Sequence, residues 1–195
     1  MKKSTVLIVL IALALIHSSL FSQKLKPGFD KEQYIELLSQ FACQADTPWV
    51  NLSVNKPMHS RLIFRSKTVG LANRCDLWMN NDSIVTINFR GTVGSMSSWL
   101  SNLYAAMVPA SGSIVLDSNF VFSYQLADDS LAAVHTGWLI SMAFLTREVQ
   151  PKLDSLKALG YRNLIIAGHS QGGAISFLFT SWLHYKEESL PLSNR

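Results

Sequence analysis

Apolar and polar positions alternate with different periods along the chain, and each period predicts an element. The stretch "FDKEQYIELLSQFACQAD" places Tyr34, Leu38, Phe41 and Ala45 at helical spacing behind Asp30. That spacing predicts an amphipathic helix, capped by Asp30, whose apolar face covers a sheet. Further on, "RLIFRSKTV", "RCDLWM" and "SIVTINF" are short apolar-rich runs, and Asn80, Asn81 and Asp82 separate the last two. These read as strands, the last two joined by a hairpin turn. Arg90-Gly91-Thr92 then marks a change of direction after a buried strand.

From Trp138 to Leu159, residues Leu139, Met142, Ala143, Val149, Leu153 and Leu156 recur at helical spacing, and Gly160 is placed to end the helix. Pro151 is expected to kink or interrupt it. "NLIIAG" reads as a short strand buried on both faces, and "GGAISFLFTSWLHYKEE" as a helix. Strand, helix, strand and helix at these lengths predict a parallel crossover unit in an α/β fold. There is no internal repeat and no low-complexity segment.

The first residues, "MKKSTVLIVLIALALIHSSLFSQ", change what the rest can be. Lys2 and Lys3, an apolar run from Thr5 to Ile16, and then small or polar residues have the layout of a secretory signal peptide. Twelve apolar residues fall short of the roughly 18 or more needed to cross a bilayer. Cleavage after Ser22, with Ser19 the other candidate, leaves residues 23–195 as one domain, exported to the periplasm or cell envelope or secreted. Of 17 basic residues the signal takes two, leaving 15 against 13 acidic ones and a net charge of +2. Nothing in that balance suggests nucleic acid. Cys43 and Cys75 are the only cysteines. In an oxidising compartment they could bridge, or they could be two small buried side chains, and the sequence leaves both open. Neither belongs to a C-x-x-C or a histidine cluster, so no metal site and no cofactor is expected.

Gly168-His169-Ser170-Gln171-Gly172 fits G-x-S-x-G. Three fixed positions recur by accident in roughly one chain in twenty of this length, so the motif by itself decides little. Its setting decides more, because it falls where a buried strand turns into a helix. There Ser170 would hold a strained conformation and project freely. Side chains at Gly168 and Gly172 would collide with the neighbouring helix and strand. The amide of Gln171, at a helix N-terminus, would point to where an oxyanion forms.

Four ordered segments, "INFRGT" (Ile87 to Thr92), "SSWLSNL" (Ser97 to Leu103), "VHTGW" (Val134 to Trp138) and "IIAGHSQGGA" (Ile165 to Ala174), resemble the landmarks of class-three, fungal-type triacylglycerol lipases. The resemblance covers about Arg61 to Tyr185. It implies an α/β-hydrolase-like, mostly parallel sheet flanked by helices, with the C-terminal part missing. It also implies that Ser170 is the nucleophile of a carboxylic ester hydrolase, and that the amides of Thr92 and Gln171 form the oxyanion hole with help from the Thr92 hydroxyl. Met96, Trp99, Leu100 and Leu103, with Tyr104 and Met107, fall on one helical face between Ser95 and Met107. In the family this position holds a lid that opens at a lipid–water interface, whereas on the residues alone such a face, if buried, would be core. His135 corresponds to a landmark expected to pack or hydrogen-bond rather than catalyse. The family usually has Leu where this chain has Gln171, and Phe where it has Trp138. The first change is expected to bear on pocket polarity.

A serine hydroxyl needs a positioned base and an acid that orients it, in the chain order Ser, Asp or Glu, His. Beyond Ser170 only His184, Glu187 and Glu188 are candidates, and His184 stands about 21 Å along the same predicted helix. His169 should leave the strand end on the other side from Ser170, and His59 precedes the core strands. Asp117, Asp128, Asp129 and Asp154 precede the serine. The expectation is a chain that stops early, with little triad-dependent esterase activity of its own and with its nucleophile strand left as an exposed edge. Three readings follow: an exported lipase-type hydrolase acting on lipid or other carboxylic esters, a catalytically silent acyl-chain binding module, and an acyltransferase on the same fold.

Overall fold

The computed structural model describes residue 25, residues 27–45 and residues 55–188. The signal segment lies outside them. The described residues form four helices, a four-stranded sheet and two two-stranded sheets. Strands β1 (Ser60–Arg65), β2 (Cys75–Asn80) and β3 (Val85–Phe89) form an antiparallel meander, and β8 (Leu164–Gly168) pairs in parallel with β3. The order β1-β2-β3-β8 places β8 at the edge. The hairpin between β2 and β3 turns where Asn80 to Asp82 predicted, closed by the Ile84 amide donating to Asn80 Oδ1 at 2.8 Å.

Between β3 and β8 the chain makes a long excursion. It contains helix α2 (Met96–Leu103), the ribbon of β4 (Met107–Pro109) with β7 (Ala133–His135), the hairpin of β5 (Ser111–Asp117) with β6 (Phe120–Gln125), and helix α3 (Thr136–Ala158). Helix α4 (Gln171–Glu188) follows β8. The sheet is thus mixed, and the crossover through α3 to β8 is its parallel unit, as in an α/β fold.

The core lies between one face of the sheet and the pair α3 and α4. Cys75, Leu77, Val85, Ile87 and Phe89 point into it and meet Leu139, Met142, Val149, Ile175 and Phe179. Phe89 and Phe179 stack edge to face with ring centroids 5.1 Å apart. Alternation in the strands sends Asp76 and Asn88 to the opposite face, under α1 (Lys31–Ala42).

Helix α1 begins at Asp30 as expected, its carboxylate accepting from the Gln33 amide at 2.9 Å. The face it buries is the opposite of the one its spacing predicted. Ser39 and Gln40 are buried, while Tyr34, Ile35 and Leu38 are exposed. The reason is the fully buried Asn88, whose polar groups need partners. Asn88 Nδ2 donates to Gln40 Oε1 at 2.8 Å, and Gln44 Nε2 donates to the Asn88 carbonyl at 2.9 Å. Nearby, Asp76 is fully buried and held in two hydrogen bonds from Arg65, of 2.8 and 2.7 Å.

The same two-sidedness excludes a bridge between Cys43 and Cys75, which are free thiols. Cys75 faces the core with Leu77, whereas the Cys43 carbonyl accepts from Arg65 on the α1 side of the sheet. Burial pushes the Cys75 thiol up to about 12.

Pro151 does not interrupt α3, which runs unbroken through it. It sits on the exposed side of the helix, away from the packed core face. Gly160 follows the end of the helix with φ +96°, as the sequence predicted. Strand β8 is half-buried along its whole length, not buried on both faces, because its outer edge has no neighbour among the described residues. Among the described residues no helix is long and apolar enough to cross a membrane.

Candidate active site

The parallel pairing sets Phe89 beside Gly168, so β3 and β8 end together and the segments after them, Arg90 to Thr92 and His169 to Gly172, lie side by side. Ser170 sits between β8 and α4 with φ +56°, a left-handed conformation that a non-glycine residue adopts only under constraint. Its carbonyl accepts from the Gly173 amide at 2.8 Å and its side chain is exposed.

The flanking glycines are required by contact. A Cβ at Gly168 would run into the carbonyl of Gly172, and one at Gly172 into the carbonyl of Phe89. Gly91 belongs to the same cluster. A Cβ there would come to 2.7 Å from the His169 carbonyl and 3.5 Å from Ser170 Cβ. Three glycines therefore let two turns and a helix start meet at Ser170. Gly91 went unassigned in the sequence, although its place at a strand end signalled it.

Neither the Thr92 amide nor the Gln171 amide has a backbone acceptor among the described residues. Both follow strands that end at the same edge, and Gln171 opens α4, where the first amides of a helix stay open and carry the positive end of its dipole.

The Thr92 side chain is held from α2. Asn102 Nδ2 donates to Thr92 Oγ1 at 2.8 Å, and Asn102 Oδ1 accepts from Trp138 Nε1 at 3.1 Å. His135 completes the assembly. Its Nε2 lies 3.2 Å from the Asn102 carbonyl, its Nδ1 accepts from the Trp138 amide at 3.4 Å as the cap of α3, and its ring stacks on Trp138 at 4.2 Å. His135 is thus a packing and hydrogen-bonding residue, as expected, and the Trp at 138 supplies an N–H that a Phe would lack. Asn102 was missed because an asparagine one turn from an apolar face reads as solvated surface.

Helix α2 carries its apolar residues outward. Met96 is 83 % exposed and Leu103 72 %, with Trp99, Leu100, Tyr104 and Met107 also open to solvent. Among the described residues this face is therefore not core. Nor does the helix cover Ser170, which is itself exposed, so α2 does not stand as a closed lid. Its buried side is made of serines. Ser98 Oγ donates to Gln171 Oε1 at 3.3 Å, and Gln171 Nε2 donates to Ser101 Oγ at 2.6 Å. The Gln171 side chain is therefore buried under α2 and does not reach a substrate pocket, contrary to the expectation from sequence.

His169 does not leave on the far side from Ser170, since its Nδ1 and Ser170 Cβ lie 3.4 and 3.5 Å from the same point beside Gly91, where a Cβ would stand. The other candidate bases and acids are engaged elsewhere. His184 meets Tyr185 edge to face far down α4. His59 lines a cavity of about 230 Å³ with Glu36, Asp82 and Thr86, between α1 and the sheet and remote from Ser170. Asp117 pairs with Arg147, Asp154 stands 3.9 Å from Lys186, Asp128 accepts from Gln125, and Asp129 accepts from the Leu131 amide. No hydrogen bond joins Ser170 Oγ to a histidine among the described residues. The side chains of Glu187 and Glu188 lie outside the description.

A strand, a strained serine and a helix in this order are the signature of a hydrolase elbow on an α/β sheet. The family profile described as lipase (class 3) matches residues 86–194. The chain belongs to the class 3 lipase family. Among solved structures, it is similar to a deletion mutant of Rhizomucor miehei lipase in complex with its propeptide, with 20 % identity and a TM-score of 0.51. The match covers 85 % of this chain and 50 % of that one, so the chain spans about half the length of this relative. No curated protein matches it.

Proposed function

We propose that the protein is an exported carboxylic ester hydrolase of lipase type that works through an acyl-enzyme on Ser170. The observation that carries this reading is the left-handed Ser170 between Gly168 and Gly172, beside two open amides at the ends of adjacent parallel strands. In this reading Ser170 Oγ attacks the ester carbonyl, and the Thr92 and Gln171 amides hold the oxyanion, helped by the Thr92 hydroxyl that Asn102 positions. The alkoxide leaves with a proton from the base, and water then releases the acid. The outward apolar face of α2 suits an acyl chain or a lipid surface as the substrate side.

The base and its acid partner are assigned to a segment that docks along β8. Two features support this. Among the described residues the edge of β8 is open, and α4 turns Phe177, 80 % exposed, to its outer side. The test reads the coding sequence past the codon for Arg195 and expresses the longest frame beside the 195-residue chain. The longer product should hydrolyse a short-chain chromogenic ester, Ser170→Ala should abolish the turnover, and the 195-residue chain should show only Ser170-independent background. Ser170-dependent turnover by the short chain would overturn the docking segment. A longer product with an Asp and a His but no turnover would favour the silent acyl-chain binder instead.

A further inference from the structure

We infer that the Gln171 side chain is a clasp that fixes α2 as a standing wall beside the elbow, so that the helix does not roll over the site as a rigid lid. Gln171 is 4 % exposed, and its amide uses both ends, accepting from Ser98 Oγ and donating to Ser101 Oγ. Each serine carries the connection onward. Ser98 Oγ also accepts from the Val93 amide at 3.0 Å, next to Thr92. Ser101 Oγ lies 2.9 Å from Ser141 Oγ and 3.2 Å from the Gly137 carbonyl, both on α3. Ser98, Ser101 and Ser141 are all buried. Gly137 allows this closeness, because a Cβ there would run into the Ser101 carbonyl.

Swinging α2 away would leave the two ends of a buried amide and two hydroxyls without partners, a cost that falls on polar groups and not on the apolar face. An apolar residue at 171 could make neither bond. The residue whose backbone amide faces the reacting oxygen thus also sets the position of the wall, which makes Gln171 a positioning residue in its side chain. The outward face of α2 then stays turned away from the elbow.

The catalytic consequence rests on the hydrolase reading above, but the clasp is measurable without turnover, so either can fail alone. Hydrogen exchange on the 195-residue chain would be followed for the amides of Trp99 to Tyr104 in wild type, Gln171→Leu, Ser101→Ala and the double variant. The expected result is exchange faster by about tenfold in each single variant, the size set by one or two hydrogen bonds, with β2 and β3 unchanged. The double variant should be little faster than Gln171→Leu, since both break one clasp. Unchanged exchange in the single variants, fully additive effects, or an α2 already unprotected in wild type would each overturn the inference. If Gln171→Leu does not fold, Ser101→Ala reads the same clasp from the α2 side.

Discussion

Asn102 donates to the Thr92 hydroxyl at 2.8 Å while its carbonyl oxygen takes the indole N–H of Trp138. One amide thereby joins the loop after β3, the helix α2 and the start of α3. Asn102→Ala leaves the indole N–H without this acceptor and Thr92 free to rotate. Because the site is only partly buried, the expected loss is about 1 kcal/mol of stability in urea unfolding. Asn102→Asp keeps an acceptor for the indole, and the Thr92 hydroxyl can turn to donate to it. That variant should recover most of the loss, and equal destabilisation of the two would remove the role given to Asn102.

Gly172 and Gly173 are neighbours with opposite tolerances. At Gly172 a Cβ meets the carbonyl of Phe89, whereas at Gly173 its nearest neighbour is the Gly168 carbonyl at 3.3 Å. Gly172→Ala should cost about 3 kcal/mol or prevent soluble expression, since backbone on both sides must move. Gly173→Ala should stay within about 1 kcal/mol of wild type, the tight contact being offset by the helix preference of alanine. Thermal melts of the two variants decide this, and similar melting temperatures would contradict the packing.

The thiols provide a check on the sheet. Cys43 is partly exposed and Cys75 is fully buried on the other face. A thiol reagent at neutral pH should find one reactive cysteine in the native protein and two in guanidinium. Burial raises the Cys75 thiol to about 12, which keeps it protonated as well as hidden. Loss of both thiols without reductant would show a bridge that this packing forbids.

Glu36 gives stability a pH dependence. Burial pushes its carboxyl up, but hydrogen bonds from Ser60 Oγ and from the Met58 and His59 amides outweigh it, so its pKa is lowered. A carboxylate lowered on folding stabilises the protein above its ordinary value, about 4.3, and loses that contribution as pH falls through the folded value. Glu36→Gln should therefore be less stable than wild type at pH 7, and the gap should narrow below about pH 4. Chemical unfolding at several pH values measures it, and a gap that widens in acid would reverse the sign.

Local chemistry made much of the protein legible in its sequence. The Asp30 cap, the hairpin between β2 and β3, the β3-to-β8 crossover and the glycine-flanked turn at Ser170 all follow from spacing and residue type over short stretches. So did Gly160 as the end of α3. Where the outcome hung on a partner distant in sequence, spacing misled. Helix α1 turned its polar face inward because the fully buried Asn88, some fifty residues on, needed Gln40 and Gln44. The cysteines stayed apart because strand alternation put one on each side of the sheet.

The same division runs through the site. The sequence by itself determined that Ser170 would sit in a strained turn between a strand and a helix, because only glycine tolerates the contacts at 168 and 172. Tertiary structure alone decided what surrounds it. It buried Gln171 under the serines of α2, recruited Asn102 to Thr92, and left Trp99 and Leu103 facing solvent. A buried hydrogen bond is settled by what else is near enough to satisfy it, and that nearness exists only once the chain has folded.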